Sequence, residues 1–385
     1  MRATRLAGLR PSLIRRMSVR CRELHGERAL DLAGGIPEGA PPPELVAAAA
    51  DALAGDWHQY PPPPGPLSLR RAIARSREPL HGHAIDPELE VTVTCGATEA
   101  MMAALLAVTD PGDEVVVIEP AYDAYGADCR AAGAVARFVR LRPPSWSLDA
   151  GELAAAVGPR TRAVVVNTPH NPTGRVLSEA ELAGVARVCR ERDLVGIADE
   201  VYEHLVYDGA HRSLAAQPGM RERTITISGA SKSYSATGWR VGWAVAPPPL
   251  TATLRAAHDS MTVGTAHPLQ VALTAALELP PAYYAELAAG YRSRRDLLVG
   301  GLRELGFEAE APEGAFYVLA GHPELGAAGD VALAERLVDR AGVATVPISG
   351  FHARPESAPP LVRLTFAKRT STLEAALEAL RSAVW

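Results

Sequence analysis

Apolar residues recur along this chain in two alternating rhythms, and together these predict its layout. Short apolar runs stand at 91–94, 114–118, 134–141, 162–166, 194–198, 224–227 and 241–245. Between them lie segments with apolar positions at helical spacing, among them 67–80, the Ala/Leu/Met-rich stretch after Cys95, and 178–192. Such strands alternating with amphipathic helices predict an α/β fold, a mainly parallel seven-stranded sheet sandwiched by helices. In such sheets ligands bind beyond the carboxyl ends of the strands. Residues with chemistry to offer fall at those ends: Gly96, Tyr122, Asn171, Asp199 and Lys232.

After a helix at 266–279 and the break at Pro280-Pro281 the pattern changes. A long helical segment, 283–305, leads into short strands at 307–310, 316–319, 343–346 and 361–366, then a terminal helix. A smaller α+β domain is therefore expected over 280–385. Residues 1–45 are expected to form an N-terminal arm and part of that domain, and 46–279 the large α/β domain. Residues 30–37 read as an extended segment broken by Gly34-Gly35, a pair that permits close backbone approach to a ligand or simply a turn. Tyr60 opens a run of four prolines. Such a run is stiff and exposed and cannot join a central strand.

Composition narrows the function classes. At 385 residues the chain accommodates one large and one smaller domain. A net charge of −5 gives no general affinity for polyanions, so no nucleic-acid partner is expected. No apolar run reaches the length of a membrane span. Cys21, Cys95, Cys129 and Cys189 are dispersed, with no C-x-x-C pair and no Cys/His cluster. Neither a metal site nor a disulfide framework is indicated, and a reducing, cytoplasmic setting is expected. The first 22 residues carry seven arginines and no acid. That suits a transit peptide, but they lack serine richness and run directly into Glu23 and Leu30-Asp31-Leu32. They are read as an arm of the folded protein.

Among 39 basic residues two are lysine, Lys232 and Lys368. A charged surface site accepts arginine or lysine. A lysine that must form a covalent bond has no such substitute, because arginine stays protonated and is no nucleophile. Lys232 stands among small and hydroxyl residues, with Arg240 eight positions on. That suits an amine that condenses with a carbonyl. Taken alone, a residual surface lysine in a loop explains it as well.

The motifs around it decide. Asn171-Pro-Thr-Gly174, Asp199 with Tyr202, Ser231-Lys232 followed by Thr-Gly-Trp-Arg240, and Arg363 within Leu-Val-Arg-Leu-Thr-Phe occur in that order. With them the chain, from about Leu30 to its end, resembles the class I/II, fold-type I pyridoxal phosphate-dependent aminotransferases. Asp-Glu-Val-Tyr-Glu-His-Leu-Val-Tyr-Asp-Gly and Ser-Ala-Thr-Gly-Trp-Arg-Val-Gly-Trp look most like the kynurenine/glutamine aminotransferase and cysteine-conjugate β-lyase branch.

The resemblance implies a role for each residue. Lys232 carries the cofactor covalently and later shuttles a proton. Asp199 pairs with the pyridine nitrogen, where a carboxylate favours the protonated ring. Asn171 and Tyr202 hydrogen-bond the phenolic oxygen, and both side chains can donate. Tyr122 stacks on the ring. Gly96, Ala97 and Thr98 open a helix whose free N–H groups suit the phosphate, with Arg240 adding charge-assisted bonds. Arg363 forks the substrate α-carboxylate, with Asn171 and the backbone at Gly35 beside it. Tyr60 matches a tyrosine that reaches the phosphate of the neighbouring subunit, which implies a two-fold homodimer. The family often has serine three residues before the lysine. Here that position is Gly229, and Ser231 is expected to compensate.

Transamination between an amino acid and a 2-oxo acid by a ping-pong mechanism is the leading expectation. β-Elimination, C–S lysis or cyclisation needs the same Lys, Asp and Arg. Thr98 lies where some relatives place a lysine for acidic substrates, so neutral substrates are expected: aromatic, glutamine-like or methionine-like. Phe316-Tyr317 and Gly350-Phe351-His352 are candidates for the side-chain pocket. A catalytically inactive cofactor-binding regulator is a further alternative. About 30 residues precede the core, too few for a DNA-binding module plus the arm. A nucleotide-binding enzyme is disfavoured, since neither G-x-G-x-x-G nor G-x-x-x-x-G-K-[ST] is present.

Overall fold

A computed structural model describes residues 12–385. In chain order its strands are β1 (Leu30–Asp31), β2 (Val91–Thr94), β3 (Glu114–Glu119), β4 (Val135–Arg140), β5 (Thr161–Asn167), β6 (Val195–Asp199), β7 (Thr224–Gly229), β8 (Gly242–Val245), β9 (Glu308–Ala309), β10 (Tyr317–Gly321), β11 (Val343–Ala344), β12 (Val346–Pro347) and β13 (Val362–Thr365). Seven form one sheet in the order β2-β8-β7-β6-β5-β3-β4. Strand β8 runs antiparallel to both neighbours, and the other pairings are parallel. Every residue of β3 is buried, as continuous apolar strands covered on both faces require. Helix Glu179–Glu191 shows how the cover is made. Ser178 and Glu181 close a capping box at its start, and Leu182, Val185, Ala186 and Cys189 turn inward.

The second layer system holds a four-stranded antiparallel sheet, β12-β13-β10-β9, and the parallel pair β1-β11. The strand expected over 343–346 is in fact two. β11 joins β1, while β12 joins β13. Helix Leu13–His25 buries Met17 and Cys21 and pairs Arg16 with Glu335 and Arg20 with Asp339 on helix Asp330–Ala341. The first eleven residues of the expected arm lie outside the described residues.

Besides the arm, which holds helix Leu13–His25, three helices are not marked by the pattern: Ala150–Ala156, Pro248–Met261 and Asp330–Ala341. The second follows Pro247 and begins with Pro248-Pro249, which reads as a break. Proline at the first helical position has no intrahelical N–H bond to lose and already holds a helical φ. The proline run after Tyr60 is less exposed than expected. Pro61 is buried, and the Pro64 carbonyl accepts the Val93 N–H at 3.0 Å, so the run docks on the edge of β2.

Candidate active site

Strand register brings the first groups together. β5 pairs with β6 so that Asn167 stands opposite Asp199, and β6 pairs with β7, whose end leads into Lys232. Asn167 Nδ2 donates to the Asp199 carbonyl at 2.9 Å, and Asn167 Oδ1 accepts the Asn171 N–H at 2.8 Å. One strand end therefore fixes both the aspartate backbone and the loop that presents Asn171.

The Asp199 carboxylate is buried. Tyr125 donates its hydroxyl to Oδ2 at 2.5 Å and the Val201 N–H lies 3.3 Å from Oδ1. Burial pushes this carboxyl up to about 6, and the two hydrogen bonds resist that rise. A cation placed opposite it would restore the carboxylate. Tyr122 meets Tyr125 edge to face, with ring centroids 5.6 Å apart. The Tyr202 hydroxyl shares a 3.0 Å hydrogen bond with that of Tyr317.

Lys232 reaches across to the first segment of the chain. Its Nζ donates to the Gly35 carbonyl at 2.9 Å and lies 5.6 Å from the Phe316 ring centroid. Burial lowers its amine to about 8. Asp199 opposes that shift, while Arg363 and Arg240 add to it. A side chain at Gly35 would bring a Cβ to 2.0 Å from the Tyr317 hydroxyl, so only glycine lets this backbone approach.

Around Gly96 the chain offers an anion N–H donors and a cation. Helix Gly96–Val108 starts without a side-chain cap, Ala97 is half-buried and Thr98 is exposed. Unspent N–H groups and the helix dipole face outward there. Arg240 lies against Gly96, where a Cβ would fall 2.3 Å from Nη2. Its guanidinium meets backbone acceptors at the Thr237 and Cys95 carbonyls. Gly229 is explained by packing. It is extended, and a Cβ there would lie 3.0 Å from Gly242 Cα, while one on Gly242 would lie 2.5 Å from the Gly96 carbonyl carbon. Three backbones meet at this point, which leaves little space for a serine side chain. Ser231 sits half-buried beside Lys232.

Arg363 comes from β13 of the smaller sheet and is 1 % exposed. Nη1 donates to Asn171 Oδ1 at 2.8 Å and Nη2 to the Ala33 carbonyl at 2.6 Å. The guanidinium carbon lies 4.1 Å from the Tyr317 ring centroid and 4.7 Å from that of Phe351. Its buried Nε has no partner, and among the described residues no carboxylate comes within ion-pair distance. Because Asn171 gives its oxygen to Arg363, its amide N–H groups remain available to a ligand.

Lys232, Asp199, Asn171, Tyr202, Tyr122, Gly35, Arg240, the Gly96 helix start and Arg363 are thus linked by contacts or by mutual fields. Tyr60 is not: it stands 84 % exposed. Sequence reasoning passed over Tyr125, Asn167 and the pairing of Tyr317 with Tyr202. The Tyr122-x-x-Tyr125 spacing at a helix start was the available signal for the first.

The donor set fits pyridoxal phosphate. A lysine amine of lowered proton affinity suits an aldehyde, a buried carboxylate a ring nitrogen, and a tyrosine hydroxyl with a free amide a phenolic oxygen. A helix start with an arginine suits a phosphate. The unpartnered Arg363 Nε and the uncapped helix start with Arg240 laid against Gly96 are what a bound anionic molecule would meet.

Comparison with known proteins agrees. The family model for aminotransferase class I and II matches residues 27–380. The chain is 44% identical over 363 residues to a probable N-succinyldiaminopimelate aminotransferase of Mycobacterium tuberculosis, covering 91% of each chain. The solved N-succinyldiaminopimelate aminotransferase from that organism superposes with a TM-score of 0.94 at 43% identity, covering 99% of each chain. Methionine aminotransferase of Escherichia coli is 38% identical over 92% of each chain. Kynurenine–oxoglutarate transaminase 1 of Rattus norvegicus is 34% identical over 91% of each. The chain belongs to the class I and II aminotransferases, enzymes that use pyridoxal phosphate.

Proposed function

We propose that this aminotransferase moves the α-amino group of a neutral amino acid with a large apolar, aromatic, glutamine-like or methionine-like side chain to a 2-oxo acid, in two half-reactions of a ping-pong cycle. The carrying observation is Arg363, a buried guanidinium with no carboxylate beside it among the described residues and with Tyr317 and Phe351 as its walls. It is ready for an α-carboxylate next to apolar surface. Thr98, where a second cation would serve an acidic side chain, is an exposed threonine.

Bound pyridoxal phosphate supplies the electron sink for the bond broken at Cα. Arg363 and Asn171 hold the substrate carboxylate, and this fixes Cα–H toward Lys232. Lys232 Nζ would take the proton from Cα and deliver it to the carbon that carried the cofactor's aldehyde. Asp199, steadied by Tyr125, would hold a negative charge for the ring nitrogen. Tyr202 and Asn171 would donate to the phenolic oxygen, and Tyr122 would offer its ring face. Ala97, Thr98, Ser231 and Arg240 would hold the phosphate.

The working unit in this reading is a homodimer. Tyr60 projects from its own subunit in a surface hollow that it lines with exposed Trp57 and residues 264–268, a surface suited to a second copy whose phosphate Tyr60 would reach. Among the described residues, 46–279 form the cofactor domain in this reading, and 12–45 with 280–385 the smaller one. Four free cysteines support a reducing cytoplasmic setting.

A single-turnover screen of the holoenzyme tests this reading. Methionine, glutamine, kynurenine, phenylalanine, aspartate and N-succinyldiaminopimelate would each be mixed with it in the absence of an acceptor. One equivalent of 2-oxo acid from the neutral substrates is expected, with the cofactor left in its amine form. Turnover confined to aspartate or N-succinyldiaminopimelate would overturn the neutral assignment. With an S-substituted cysteine added to the set, release of thiol, ammonia and pyruvate with the cofactor unchanged would replace transfer by elimination.

A further inference from the structure

Between the two turns that present Asp199 and Lys232 lies a buried charged pair that touches neither reacting atoms nor cofactor donors. Arg77, from helix Leu67–His81, is 2 % exposed. Its Nη1 donates to Glu203 Oε1 at 2.5 Å, its Nη2 meets His204 Nε2 at 3.1 Å, and its guanidinium carbon lies 5.8 Å from the Trp243 ring centroid. Glu203 is the residue after Tyr202, on the turn that follows Asp199. Both its carboxylate oxygens accept from Ser228 Oγ, at 2.8 and 2.9 Å. Ser228 ends its run beside Gly229, four residues before Lys232. A second link joins the same turns. The His204 ring stacks on Tyr284 at 4.0 Å, Tyr284 shares a 2.7 Å hydrogen bond with Tyr234, and Tyr283 donates to the Ser233 carbonyl at 2.6 Å.

We propose that Arg77 and Glu203 are a positioning pair for amino transfer, tying the Asp199–Tyr202 turn to the Lys232 turn and holding a neutral sum of charge beside them. The proposal rests on the roles given above to Asp199 and Lys232. A fixed ion pair holds geometry without imposing a net field, and either member alone would impose one.

The titratable and charged groups facing Glu203 are Arg77, His204, Asp199, Tyr234 and Tyr284. His204 takes no part in the charge balance. Its Nε2 accepts from Arg77, and burial holds its ring at about 4. Glu203 by its charge raises the Asp199 carboxyl, and the tyrosines are held up by burial. His81, on Arg77's own helix, is held by burial at about 4 in the same way, so near neutral pH the pair itself is one positive and one negative charge, with the Asp199 carboxylate beside it.

The test uses the holoenzyme and compares Glu203→Gln, Arg77→Gln and the double variant. The pH midpoint of the cofactor's visible absorption band is read for each. Glu203→Gln leaves an unbalanced positive charge, so its midpoint falls. Arg77→Gln leaves a negative one, so its midpoint rises, and the double variant returns toward the wild type. A unit charge roughly 10 Å away at an effective dielectric of about 20 moves a midpoint by about one pH unit.

A second readout uses the apoprotein. The pH midpoint for acylation of Lys232, followed by peptide mass spectrometry, shifts with the same signs. If Arg77→Gln fails to fold, the fall in Glu203→Gln by both readouts still decides. Opposite shifts support the pair. Loss of melting temperature with both midpoints unmoved, or shifts of the same sign in both variants, overturns it and leaves a purely structural ion pair. Borohydride reduction of the wild-type holoenzyme, followed by peptide mapping, separates the underlying reading. Cofactor fixed on any residue other than Lys232 overturns the site and the proposal together.

Discussion

Arg77 and Arg363 are both buried guanidiniums, and their surroundings differ in one respect. Arg77 faces a carboxylate, Glu203, at 2.5 Å. Arg363 faces an amide oxygen, a backbone carbonyl and two aromatic rings, and its Nε is left without a partner. Burying a charge is costly unless it is paired. A charge balanced within the chain serves the fold. A charge left unbalanced in the fold is ready for something outside it. Lys232 and Arg240 fall with Arg363: neither has an ion-pair partner among the described residues, and both adjoin the same space. Glu99 with His258 falls with Arg77. Their 2.6 Å contact, reinforced by the Pro63 carbonyl, lifts His258 above its ordinary proton affinity through the bond to Glu99, although burial pulls it down.

The widest separation between the two kinds of charge is expected at Lys232. Replacing it with alanine should lower single-turnover amino transfer by about 10⁴-fold, with the apoprotein's urea midpoint unchanged or raised. A variant that keeps its activity would remove Lys232 from the chemistry altogether.

Stability separates the two arginines directly. Arg77→Met strands a buried carboxylate and should cost about 3–5 kcal/mol in urea unfolding of the apoprotein. Arg363→Met strands no carboxylate, only the Asn171 and Ala33 oxygens, and should cost less, about 1–2 kcal/mol. Equal losses would erase the distinction.

Proton affinity offers a finer test. Lys232 in the apoprotein should acylate with a midpoint near pH 8. A fall from 10.5 to about 8 raises the free-amine fraction at neutral pH by roughly 300-fold. The sign for stability follows. Between about 8 and 10.5 the unfolded chain binds the proton that the folded chain has released, so wild-type stability rises with pH through that window relative to Lys232→Ala. A flat difference would show that the amine is not desolvated.

The smallest effect belongs to the phosphate end. Gly96 has φ +74°, and a Cβ there would meet Arg240. Gly96→Ala should weaken pyridoxal phosphate binding by about tenfold, on the order of 1.4 kcal/mol. Equilibrium dialysis of the apoprotein would measure it.

Much of the fold could be read from the chain because parallel strands buried on both faces leave uninterrupted apolar runs, as β3 and β5 do. Helix Pro248–Met261 escaped because its starting prolines look like a stop. The 343–346 segment escaped because pattern alone cannot show two strands paired to different sheets. Lys232, Asp199 and Asn171 could be read from the motifs they sit in. Asn167 could not, since it acts through Asp199, 32 residues away, and Tyr125 offered only its spacing from Tyr122, its partner Asp199 lying 74 residues on. Glu203 lay within a recognised motif, yet its role depends on Arg77, 126 residues earlier. Gly229 looked like a missing serine and proves to be a site where three backbones meet.

The most direct test is to compare an amino acid with its decarboxylated amine in wild-type and Arg363→Gln holoenzymes, measuring the rate of the first half-reaction for each. The expected result is that Arg363→Gln lowers the rate on the amino acid by about 10²–10³-fold, on the order of 3–4 kcal/mol, and leaves the rate on the amine unchanged. An equal loss on both substrates would show that Arg363 holds the fold and not the carboxylate.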